Sequence, residues 1–292
     1  MVFLRFSVSP CNAVTSVLSV TYTRMKTVSS RQNPVVARYR AAAHGESAGV
    51  VLLDGAHLVV EALDAGLRLR EAAITPAAAA RHEVEPILAR LTRASTDVVL
   101  VAASVMDALS PVNSPSGIVA LADRPDTCSG RMYDRASPLV LIAVDVQDPG
   151  NVGAIVRVSE AAGADGVIAG GACADPFGWK SIRGSMGSAL RLPLAVQRDA
   201  GAAIAEARQH GCRIMAAVPR DGRSMFQVDY AGPVAILIGG EGTGLPASLS
   251  AGADERVTVP MQPAVESLNA AVTAALIVYE AFRQRSARGP SG

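Results

Sequence analysis

LVLIAVDVQDPGNVGAIVR, residues 139–157, sets the architecture of this chain. Its first six residues are apolar without a break. That is the pattern of a parallel strand covered on both faces, not of a half-exposed strand that alternates. Pro149 and Gly150 make a turn, Asn151 is a good N-cap, and the spacing predicts a helix over 152–162 that ends at Gly163. Working outward, further apolar runs at Val167–Ala169, Arg213–Val218, Val234–Ile238 and Val257–Val259 alternate with helical stretches near 178–189, 201–210 and 267–285. Residues 138–292 therefore read as an α/β domain on a parallel sheet. The last helix is apolar on several faces, as expected if it is buried on one side by its own sheet and on the other by a second subunit.

Upstream, Asn33-Pro34 starts a helix that runs to Ala43. Strands are expected at Val50–Leu53, Glu71–Ile74, Val98–Val101 and Ile118–Leu121. Helices are expected at 55–65 (with Asp54 as the cap), 81–91 and 104–109. Residues 25–121 thus form a smaller α/β domain. The polar stretch 122–137, with Pro, Gly and several charges, is the linker. Residues 1–24 read as a disordered tail, since their apolar residues are broken by Ser, Pro and Asn and no cleavage site follows.

The bulk composition excludes more than it assigns. In 292 residues, 50% are hydrophobic and 18% charged, which rules out global disorder. Net charge is +1 and by itself says nothing about nucleic acid. The one dense basic stretch, Arg24, Lys26, Arg31, Arg38 and Arg40 without an intervening acid, reads either as a phosphate contact or as a solvated helix face. Cys11, Cys128, Cys173 and Cys212 are far apart, with neither zinc spacing nor a disulfide framework. Isolated thiols fit a cytoplasmic protein, and no run reaches transmembrane length.

Three segments follow predicted strands, where open parallel sheets place their ligand crevice. In D-P-G-N-V-G-A-I-V-R (148–157), Gly153 permits a close backbone approach, and Arg157 sits on a helix with apolar neighbours. Its guanidinium either meets an anionic partner or snorkels to solvent. In I-L-I-G-G-E-G-T-G-L-P (236–246), four glycines in six positions offer backbone N–H groups at close range, yet the spacing is neither the dinucleotide fingerprint nor a P-loop. Glu241 there accepts loop N–H bonds or contacts a ligand. In V-T-V-P-M-Q-P-A-V-E-S-L-N (257–269), Glu266, Ser267 and Asn269 crowd a helix start, where simple capping explains them.

Together and in this order, the three segments resemble the motifs of the SpoU (TrmH) branch of the SPOUT methyltransferases: N-x-G-x-x-x-R, then G-x-E-G-x-G-L after a strand, then P-M and S-L-N before a long helix. DPFGWKSIRGSMGS (175–188) is similar to the family's middle segment, with Lys180, Arg183, Ser185 and Gly187. More weakly, N-P at 33–34, VVLLDGAHLVVEAL (50–63) and P-x-G-I-V-A (115–120) resemble the L30e-like substrate-binding domain that often precedes it. One departure stands out: where the family usually has glycine two residues after Pro-Met, this chain has Pro263.

The resemblance implies a trefoil-knotted SPOUT domain, a homodimer, and 2′-O-methylation of a ribose in RNA, 23S rRNA above tRNA, with S-adenosyl-L-methionine as donor and no metal. It implies a cofactor pocket lined by Gly239, Gly240, Val259, Met261 and Leu268. Catalysis would centre on Arg157, with Ser267 and Asn269 orienting the ribose or Arg157, and Asn151 and Glu241 holding the loops. A non-catalytic RNA-binding protein on the same fold is the rival from another class. A Rossmann nucleotide enzyme is disfavoured by the glycine spacing.

Overall fold

The computed structural model describes residues 26–127 and 129–288; the expected N-terminal tail lies outside them. Two sheets carry the fold. The first has the order β1-β4-β3-β5-β2, with β1 Lys26–Val28, β2 Val50–Asp54, β3 Leu69–Ile74, β4 Asp97–Val101 and β5 Ile118–Asp123. β5 runs antiparallel between β3 and β2, and the remaining pairs are parallel. The two-residue period of a strand splits the apolar side chains between two cores. Val51, Leu53, Ala72 and Ile74 face one core with α2 (Ala56–Asp64) and α4 (Glu85–Arg93), after the short α3 (Pro76–Ala79). Leu52 and Ala73 face the other, with α1 (Pro34–Ala43) and α5 (Ala103–Leu109).

The second sheet has seven strands, all paired in parallel. Its order is β10-β12-β9-β11-β6-β7-β8. The strands are β6 Leu139–Val144, β7 Gly166–Gly170, β8 Leu194–Gln197, β9 Arg213–Ala217, β10 Arg223–Ser224, β11 Val234–Gly239 and β12 Glu255–Thr258. All six residues of β6 are buried, as its unbroken apolar run required. α6 (Pro149–Ala161), α7 (Trp179–Gly184) and α10 (Ala270–Ala287) cover one face. α8 (Ala200–Gln209) and α9 (Ala247–Ala251) cover the other.

Several expectations shift in detail. Asp54 does not cap α2; its N-cap is Gly55, at φ 102° without a side-chain cap. β8, β1 and β10 are additional strands. The stretch 122–137 is less loop-like than its polarity suggests. β5 extends to Asp123, and Gly130–Tyr133 forms a 3-10 turn. That turn is anchored by packing: Met132 is buried where Gly166 leaves room for it, and Tyr133 stacks on His210 at 4.2 Å. Of the basic stretch, Arg24 lies outside the described residues, and three arginines find acceptors in their own domain. Arg38 pairs with Glu71, Arg31 donates to Ser104 O at 2.7 Å, and Arg40 donates to Ala108 O at 3.3 Å.

The two sheets meet along α7. One apolar cluster runs from the first sheet through α6 and α10 of the second, and Trp179 packs against the core under α1. Arg191 donates to both carboxylate oxygens of Glu160 on α6, at 2.9 and 2.8 Å, and also pairs with Glu61 on α2. Arg124 makes a two-pronged pair with Asp175 at 2.7 and 2.8 Å and lies over the Phe177 ring.

Candidate functional site

Register decides where the loops meet. Gly239 at the end of β11 pairs with Val144 at the end of β6. β9 lies on the other side of β11, with β12 beyond it. The carboxyl ends of four neighbouring strands therefore open on one side, and their loops fold over one another.

Glycine makes this crossing possible. A Cβ on Gly239 would collide with the backbone of Gly244 and Leu245, and one on Gly240 with the carbonyl of Asp145. Asp145 itself turns the chain at φ 56°, and its Oδ1 accepts a hydrogen bond from Ala172 N at 2.7 Å. Such a left-handed conformation is tolerated by Asp better than by most side chains. Gly153 serves a different approach. A Cβ there would lie 2.5 Å from Ser181 O and 2.9 Å from Ser185 N, so α6 and α7 touch backbone to backbone.

The helix start after β6 differs from the expected one. Asp148, not Asn151, is the N-cap of α6: its Oδ1 accepts from Asn151 N at 2.8 Å, with Pro149 in the first turn. Proline suits that position because its φ is already helical and it has no N–H to satisfy. The consequence is chemical. Asn151 enters the helix and its side chain is released for longer contacts. Its Nδ2 donates to Glu241 Oε1 in the glycine-rich loop, and its Oδ1 accepts from Asn269 Nδ2 at 3.1 Å. Asn269 in turn caps α10, accepting from Ala271 N at 2.9 Å and Val272 N at 3.2 Å. One relay thus joins all three segments, and the capping read for Asn269 and its place in the site are the same fact.

Beneath the loops lies a cavity of about 260 Å³. Gly239, Gly240, Glu241, Val259, Met261, Ser267 and Leu268 all line it. Asn151 and Asn269 stand behind Glu241. Arg157 does not line the cavity; it is exposed on α6 and has no ion-pair or hydrogen-bond partner among the described residues. The walls also include Ala217, Val218 and Pro219, from the end of β9, and Thr243, Leu245 and Thr273. These β9-end residues are not among the cavity residues expected from the sequence, although the strand-end rule applies to β9 equally. Cys173, near β6, is held as a thiol. Burial raises its pKa, and it donates to Ala143 O and accepts from Val146 N, each at 3.2 Å.

The cavity suits a flat apolar group with hydrogen-bonding edges. Ile238, Leu245, Val259, Met261 and Leu268 supply apolar walls, while the turning backbone supplies donors and acceptors. Gly242 and Gly244 have open space where a Cβ would stand, so a ligand can reach their backbone. Among the described residues no group of His, Cys, Asp and Glu could hold a metal ion.

Comparison with known proteins identifies the family. The model of the SpoU rRNA Methylase family matches residues 138–279, and that of an MRM3-like substrate binding domain matches residues 40–120. An uncharacterized tRNA/rRNA methyltransferase of Synechocystis is 32% identical over 273 residues, covering 91% of this chain and 96% of the relative. The Bacillus subtilis 23S rRNA (guanosine(2553)-2′-O)-methyltransferase RlmP is 28% identical, covering 78% of this chain and 86% of its own. An S-adenosylmethionine-bound rRNA methyltransferase from Sinorhizobium meliloti superposes with a TM-score of 0.78 at 27% identity, over 89% of this chain and 98% of that one. The SpoU methyltransferase AviRb from Streptomyces viridochromogenes, also with the cofactor, gives 0.77 at 28% identity, over 87% and 99%.

Proposed function

Because the chain belongs to the SpoU family of RNA methyltransferases, we propose that it methylates a ribose 2′-oxygen of RNA, with 23S rRNA as substrate. The observation that carries this reading is the convergence of three strand-end loops on one cavity, tied by the Glu241–Asn151–Asn269 relay. S-adenosylmethionine would be held in that cavity by Gly239, Gly240, Val259, Met261 and Leu268 and would supply an electrophilic methyl group.

The protein's own task is to position and activate a hydroxyl. A guanidinium stays protonated and is a poor base. Arg157 therefore grips the phosphate next to the target ribose. The 2′-oxygen would then be oriented toward the methyl group, and its proton would pass to that phosphate or to water. Ser267, exposed at the rim, orients the ribose. Asn151, Glu241 and Asn269 spend their polar groups on one another and keep the loops in register.

Arg157 lies outside its own chain's cavity, and this favours a site shared between two copies. Beside α6, α10 exposes Val272, Leu276, Tyr279 and Phe282. Residues 272, 276 and 279 share one helix face. A twofold pairing on that face brings Arg157 of one protomer to the cavity of the other. We take the crossing of 239–245 with the β6 end and the loop before α10 as the family's trefoil knot. The first sheet selects the RNA, reading shape and 2′-hydroxyls. We place the enzyme in the cytoplasm with its rRNA substrate; among the described residues no helix is long and apolar enough to cross a membrane.

The test is transfer of labelled methyl groups to 23S rRNA, followed by mapping of the modified nucleotide. Arg157→Ala is expected to lower kcat on the order of 10²-fold, with Arg157→Lys in between. Near-normal turnover by Arg157→Ala would overturn the assigned role, and absence of any labelled RNA would overturn the function.

A further inference from the structure

Two walls of the cavity come from different strand ends. Val218 and Pro219 follow β9, and the long loop from Val259 to Leu268 follows β12. That loop has neither helix nor strand. It is fixed at its start by β12 and at its end by the Asn269 cap. Between them it carries four cavity-lining residues.

Its middle is held from across the cavity mouth. Arg220, directly after the lining residue Pro219, places Nη2 3.3 Å from the carbonyl oxygens of both Pro263 and Val265. Between those carbonyls the chain turns tightly, with Val265 N donating to Gln262 O at 3.0 Å. Pro263 is the second residue of that turn, where its ring pre-sets φ. Proline thus stiffens the turn from which Arg220 takes both of its acceptors. Both devices act on the same few residues, and neither touches the cavity itself.

We propose that Arg220 and Pro263 are positioning residues that hold the 259–268 wall in its cofactor-binding shape before the cofactor arrives. The ordering entropy of the loop is then lost on folding and not on binding. A wall that is open part of the time weakens apparent affinity in proportion to the open fraction. The inference rests on the reading of the cavity as the S-adenosylmethionine site.

The experiment titrates full-length protein with S-adenosylmethionine by calorimetry. Alongside it, KM and kcat are measured, as is hydrogen exchange of amides 264–268 in the free protein. Arg220→Ala is expected to raise Kd and KM about fivefold, since it removes two exposed hydrogen bonds. Pro263→Gly is expected to raise them about threefold. For both, kcat at saturating cofactor should stay within about twofold, because the loop is ordered once the cofactor is bound. Arg220→Lys, able to reach one carbonyl, should fall between wild type and Arg220→Ala. Loss of exchange protection should match loss of affinity in each variant. If wild type does not bind S-adenosylmethionine, the reading of the cavity fails and this inference with it. If wild type binds but both variants bind equally well, or lose kcat at unchanged KM, the inference alone fails.

Discussion

Asn151 divides one amide between two partners. Its nitrogen donates to Glu241, and its oxygen accepts from Asn269. An isosteric Asn151→Asp would keep the second bond and turn the first into a repulsion between carboxylates. Asn269→Ala removes more at once: the cap of α10 and the link to Asn151. Loss of a cap costs about 1 kcal/mol. The separated loops should also weaken cofactor binding about tenfold, because the relay is what keeps Glu241 over the cavity. Chemical denaturation and calorimetric titration of Asn269→Ala check the two effects separately. A variant with wild-type affinity would show that the relay is decorative. The capping role of Asn269 is legible from its place before an apolar helix. Its bond to Asn151 is not, since 118 residues separate them and no local rule reaches that far.

At the scale of elements, α6 and α7 are held together by an absence. Three backbone atoms crowd the place where a side chain on residue 153 would begin, and backbone cannot yield as a flexible side chain can. Gly153→Ala should therefore force the helices apart, at a cost of about 1–3 kcal/mol; a lowered denaturation midpoint checks it, and an unchanged midpoint would refute the packing. The pattern of the parallel sheet was readable because its central strands are buried on both faces, as the six residues of β6 show. The edges were not. β8 has four residues and exposes Val196 to 47%, and β10 has only two residues. Edge strands this short carry too little apolar signal to separate them from loops. The helix α6 starts three positions before its expected start because Asp148 and Asn151 are both good caps. Proline between them decides for Asp148, which is what frees Asn151 for the site.

For the whole molecule, the shared-site reading makes a claim that no single protomer can satisfy. Leu276→Glu with Tyr279→Arg on the exposed face of α10 should give a monomer by light scattering that stays folded and loses methyl transfer. Mixing Arg157→Ala with Gly240→Val protomers should restore part of the activity, since a mixed pair has one site with Arg157 from one chain and an intact cavity from the other. A wild-type monomer fully active when dilute would contradict the arrangement. The sheet order also bears on synthesis. β6 pairs with β11, so Leu139 must wait for Val234 to leave the ribosome, about 95 residues later and on the order of 5 to 20 s at ordinary elongation rates. Throughout that interval β6 has an unsatisfied edge in the middle of the future sheet. Nascent chains stalled before β11 should thus be the aggregation-prone species, and a binder of extended apolar segments should capture them co-translationally at lengths between the emergence of β6 and that of β11.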